Sequence, residues 1–165
     1  MEQHSQIHDL FMDAYEQYAD AIFRHCYFRV YSREKAEDLV QEVFTRVWDY
    51  LREGHQVRNI RAFLYKVANN VIIDETRKKQ PGSLEELREK GWEPPASGRG
   101  MEEILAGQEA KDLLQQLEPS YCQVLTMRYI DDLAPREIAE ILEETPDAVS
   151  VRIHRALEKV RKILV

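Results

Sequence analysis

The tightest limit on the fold comes from the run DLAPREIAEILEETPDAVSVRIHRAL at residues 132–157, which reads as two helices at right angles joined by a tight turn. Ile138, Ala139, Ile141 and Leu142 form the inward face of the first helix, and Pro135 sits near its start, where a missing N–H costs little. Thr145 suits the cap of the second helix, Pro146 its first position, and Asp147 the positive end of its dipole. Val149, Ile153, Ala156, Leu157 and Val160 then recur at helical spacing, which leaves Ser150, Val151, His154 and Arg155 on the opposite face. Such a helix suits the major groove of DNA, early residues meeting base edges and later ones phosphates. An ordinary amphipathic helix pair would show the same pattern.

Upstream, three more helical patterns follow one another. Leu10, Phe11, Ala14, Tyr18, Ala21, Ile22 and His25 mark a helix over residues 7–30. Ser32 resembles a cap for residues 33–51, whose stripe of Leu39, Val40, Val43, Phe44, Val47, Trp48 and Leu51 leaves Asp38, Gln41, Glu42, Thr45 and Asp49 on the other side. Gly54 breaks that helix, and the loop at 53–59 leads to a third helix over residues 60–79. Phe63, Leu64, Val67, Ala68, Val71 and Ile72 face inward there. Arg61, Tyr65, Asn69, Asn70, Asp74, Arg77 and Lys78 take exposed or bordering positions, a mixture of cations, amides and an aromatic ring that suits single-stranded DNA. A solvated helix face with a basic end explains the same residues.

Residues 80–100 hold three of the six prolines and four of the six glycines, the composition of a linker. Helical periodicity resumes over 101–117, and Pro119 opens a further helix through residue 129. The expected architecture is all-α: a domain over residues 1–80, a linker over 81–104, and a second domain over 105–165. Net charges of −1, −4 and −2 fall on residues 1–80, 81–116 and 117–165, so the total of −7 is concentrated in the middle. A chain with this balance holds nucleic acid weakly by itself, because neutralising phosphates supplies most non-specific affinity. Cys26 and Cys122 lack metal-type spacing and read as reduced thiols. No apolar run approaches membrane-spanning length, and the polar start MEQHSQIHDL points to a cytoplasmic protein without membrane insertion.

The runs AEDLVQEVFTRVW at 36–48 and RAFLYKVANNVIIDETRKK at 61–79 closely resemble region two of the bacterial extracytoplasmic function (ECF) sigma factors, and residues 117–164 resemble region four. The resemblance covers nearly the whole chain in the family's order. It implies a dissociable initiation subunit of RNA polymerase that performs no bond chemistry and needs no cofactor. It places Asp38, Gln41, Glu42 and Arg46 on the clamp helices of the largest core subunit, with region four on the beta flap. It assigns Arg58, Arg61, Tyr65, Asn69, Asn70, Asp74, Arg77 and Lys78 to minus-ten promoter DNA, where a turned-out base must be repaid by stacking and amide contacts. Ser150, Val151, His154 and Arg155 fall to the minus-thirty-five element, and an anti-sigma factor is implied as a further partner.

Three departures or local expectations accompany the match. Phe63 stands where the family often has tryptophan, and Glu143 and Glu144 replace its usual glycine and apolar residue, so a left-handed turn residue would be strained and two acids would face DNA. Arg152, beside the packed stripe, is expected to pair with Glu137. Two other classes compete with the sigma reading. An independent helix-turn-helix regulator would bind duplex DNA tightly without polymerase. A metal-dependent hydrolase would use Asp38, Glu42 and Asp74, or a metal at His4 and His8, but no nucleophile and base can be assembled.

Overall fold

A computed structural model describes residues 2–78 and 109–164. The linker expected at 81–104 lies outside them, as does most of the helix expected at 101–117, of which residues 109–115 are helical. All regular structure among the described residues is helical, with no strand among them.

The N-terminal bundle is α1 (Glu2–Val30), α2 (Arg33–Arg52) and α3 (Ile60–Lys78). Ser32 caps α2 as its spacing implies, accepting from the Lys35 N–H at 3.3 Å. The stripes close on one another through Ile22, Val43, Val47, Leu64 and Ile72, all fully buried, so each helix holds its neighbours by apolar area removed from water. Phe11 packs edge-on against Trp48 at 5.1 Å and Tyr15 against Phe44 at 4.9 Å, joining the N-terminal half of α1 to α2. Leu10 departs from expectation and points outward.

The C-terminal bundle contains α4 (Pro119–Leu125), a π-helical turn at Thr126–Ile130, α5 (Pro135–Leu142) and α6 (Pro146–Leu164). The sequence implies one unbroken helix from Pro119 to residue 129. Instead the Asp131 N–H bonds back five residues to the Thr126 carbonyl, and Leu133 N–H reaches Met127. This wider turn, followed by a left-handed Asp132 (φ 55°), re-aims the chain and sends the Asp131 side chain toward the N-terminal bundle.

The helix-turn-helix forms as its signals require. Thr145 accepts from the Ala148 N–H at 3.2 Å, and Pro146 opens α6. Glu143 occupies the left-handed position (φ 57°) that favours glycine, so the strain expected there is present. The two bundles pack together along a seam formed by α1 and α3 on one side and by the π turn and α5 on the other.

Candidate nucleic-acid and polymerase interfaces

The outer face of α2 presents Asp38, Gln41 and Glu42 to solvent. Arg46 lies beside them and reaches two carboxylates, Glu42 at 2.7 Å one turn back and Asp74 of α3 at 3.4 Å. Residues assigned separately to polymerase docking and to minus-ten DNA are thus tied by one guanidinium. The same guanidinium pairs with two of the three carboxylates that a hydrolase reading would need for a metal, Glu42 and Asp74.

Arg58 is exposed in the loop between α2 and α3, and Asn70 and Arg77 are exposed on α3; Lys78 belongs to α3, with its side chain outside the described set. Tyr50, at the end of α2, stacks on His55 of that loop with ring centroids 4.3 Å apart, and packs against Phe63 at 4.7 Å. Sequence reasoning named neither Tyr50 nor His55. An aromatic residue one turn before the glycine break, with a histidine just after it, was the available signal.

The structure corrects the expected exposure of Tyr65 and Asn69. They are only 1% and 4% exposed, because the C-terminal bundle covers the face of α3 that carries them. Asn69 presents its side-chain oxygen to Nε2 of His25 at 2.8 Å and its amide to the Met127 sulfur at 3.9 Å. Nδ1 of His25 faces a carboxylate oxygen of Asp131 at 2.6 Å, with both side chains fully buried. Both ring nitrogens of His25 therefore have partners, the Asp131 carboxylate at Nδ1 and the Asn69 side chain at Nε2. The other Asp131 oxygen is buried without a hydrogen-bond partner among the described residues. Tyr65 lies edge-on to His25 at 5.3 Å, and burial, reinforced by the Asp131 charge, pushes its phenol above the ordinary tyrosine range.

Two further contacts line the rim of this seam. Arg61 donates to Glu137 at 3.1 Å and to the Asp131 carbonyl at 3.3 Å. Glu137 also accepts from the Ala134 N–H at 3.1 Å, so one carboxylate both caps α5 and holds α3. Lys66 pairs with Glu143, and that hydrogen bond holds the exposed Glu143 carboxyl below its usual range. The ion pair expected between Arg152 and Glu137 does not form. Arg152 pairs with Glu144 at 2.7 Å, since that turn residue lies nearby at the start of α6 while Glu137 faces α3. Glu144 is thereby neutralised beside the candidate DNA helix.

On α6, Ser150, Val151, His154 and Arg155 are all exposed on one face, and His154 Nε2 lies 3.2 Å from Glu158. Cys26 is fully buried, and burial pushes its thiol up to about 12, which disfavours the reactive thiolate near neutrality.

The chain's two halves match two families in the order of its bundles: Sigma-70 region 2 over residues 14–81 and Sigma-70, region 4 over residues 107–160. The ECF RNA polymerase sigma factor SigW of Bacillus subtilis is 33% identical across 94% of this chain and 89% of its own length. The chain belongs to the ECF sigma factor family. A second Bacillus subtilis relative, the RNA polymerase sigma factor YlaC, is 27% identical over 93% of this sigma factor and 91% of its own length. Among solved structures, CnrH in complex with the cytosolic domain of CnrY covers 98% of this chain and 94% of its own, with a TM-score of 0.72 at 20% identity. The sigma factor RpoE of Bartonella quintana, in complex with the anti-sigma factor NepR, covers 93% of this chain and 96% of its own, with a TM-score of 0.69 at 17% identity. These two likenesses concern the fold. As a sigma factor the protein is a transcription initiation factor and not an enzyme. Among the described residues no helix is long and apolar enough to cross a membrane.

Proposed function

We propose that this sigma factor brings core RNA polymerase to promoters through surfaces on both of its bundles. Asp38, Gln41, Glu42 and Arg46 dock on the clamp helices of the largest subunit, where exposed carboxylates and an amide beside an apolar helix fix register and steer association. Region four sits on the beta flap. Arg58, Arg61, Tyr65, Asn69, Asn70, Asp74, Arg77 and Lys78 take the opened minus-ten strand, and Tyr50 and His55 lie against the loop that reads its turned-out base. Ser150, Val151, His154 and Arg155 take the minus-thirty-five duplex. An anti-sigma factor is a further partner, and the protein works where the polymerase is, in the cytoplasm.

The observation that carries this reading is that both region families match in order along a chain whose α2 and α6 each leave a polar face open. Neither DNA module is strongly basic, so affinity depends on a scaffold that engages both at once. Reconstituted transcription with core polymerase tests it. The wild-type chain is expected to start transcripts at a defined promoter set, and Asp38→Lys/Glu42→Lys to lose both core association and initiation while remaining helical. Promoter-specific duplex binding of equal strength without polymerase would instead support an independent regulator.

A further inference from the structure

Asp74 is the only carboxylate in the set of residues assigned to the minus-ten strand, and it stands on α3 one turn after Asn70 and one turn before Arg77. Its side chain is half exposed, at 49%. A carboxylate in that place repels the phosphates that the neighbouring cations attract. Arg46 of α2 answers the charge: Nη1 and Nη2 each donate to one Asp74 oxygen at 3.4 Å, while Nη2 also donates to Glu42 at 2.7 Å. Among the described side chains Arg46 is the only cation paired with Asp74. As a contribution to stability an exposed pair of this kind counts for little. Its consequence lies in the charge it removes from the strand face.

We propose that Arg46, beyond its place on the polymerase-docking face, is a positioning residue for the minus-ten strand, its guanidinium neutralising Asp74 so that phosphates pass close to Asn70 and Arg77. This rests on the assignment of Asn70, Asp74 and Arg77 to that strand. Arg46 acts through Asp74 and touches no base. Its loss therefore exposes a negative charge on the strand face, and removing that charge from Asp74 itself repairs the damage.

The test uses the full chain saturated with excess core polymerase, and a short fluorescein-labelled single strand from the non-template minus-ten region of a promoter that this complex initiates from. Core association is measured separately, so that a docking defect is told apart from a strand defect, and circular dichroism verifies that each variant is helical. Arg46→Gln is expected to weaken strand binding by the saturated complex about fivefold, the upper range for an exposed charge pair, with the deficit shrinking as salt is raised. Arg46→Lys keeps the charge and should stay within about twofold of wild type. Arg46→Gln/Asp74→Asn should return to the same range. Arg46→Gln/Asp20→Asn makes the same change of net charge at an exposed position of α1, and should remain as weak as Arg46→Gln alone. The role of Arg46 is overturned, while the functional reading stands, if the saturated Arg46→Gln complex holds the strand as tightly as wild type. It is equally overturned if Asp74→Asn does not restore binding, or if Asp20→Asn restores it as well. If the wild-type complex does not hold the strand, both fall.

Discussion

Asn69 of α3 and His25 of α1 meet at 2.8 Å beneath a second bundle, and the opposite ring nitrogen of that histidine touches Asp131, 106 residues further along the chain. A buried imidazole with partners on both sides makes three segments one unit. Removing one partner of a buried hydrogen-bonded pair leaves the other unsatisfied, which typically costs about 1–3 kcal/mol. His25→Leu and Asp131→Ala are each expected to lower stability in urea denaturation by an amount of that order. The double variant should lose less than the sum, with a coupling of ~0.5–3 kcal/mol. Additive losses below about 1 kcal/mol would show that the bridge contributes little.

Glu143 holds a backbone conformation that costs an L-residue roughly 1–2 kcal/mol and a β-branched one more. Glu143→Gly and Glu143→Val both lose the Lys66 contact, so comparing them isolates the backbone. The valine variant should be the less stable by ~1–2 kcal/mol in thermal or chemical denaturation. Equal stability would mean that the turn relaxes out of the left-handed region.

Arg155 is exposed on the outer face of α6. If it reads a base edge, Arg155→Ala should weaken minus-thirty-five binding by the polymerase complex by ~1–3 kcal/mol and relax preference at one position. A uniform loss across promoters, with a shallower salt dependence, would mark a phosphate contact.

Much of the fold is legible in the amino acids because the helices carry their own signals. The stripe from Leu39 to Leu51 sets the buried face of α2, and Ser32 and Thr145 mark starts by side chains that accept from the following turn. What escapes is non-local. His25 falls on the inward face of α1 by spacing alone, but nothing near it indicates a carboxylate from the far end of the chain. Tyr65 and Asn69 border the apolar stripe of α3, and a helical wheel cannot show that another bundle lies over them. The π turn has no hydrophobic period of its own, so one helix was expected where the chain shifts register. Arg152 took Glu144 rather than Glu137 for the same reason: Glu137 was already committed to Arg61 across the seam.

If regions two and four engage promoter DNA together on core polymerase, as proposed, the seam between α3 and α5 must open when the sigma factor binds it. Spin labels on Thr76→Cys of α3 and Glu140→Cys of α5, both exposed positions, report the separation of the bundles, since the native cysteines Cys26 and Cys122 are buried. Double electron–electron resonance should give one short, narrow distance in the free protein and a longer one on binding core polymerase. A broad, long distribution in the free protein, or a short distance that core polymerase leaves unchanged, would contradict it.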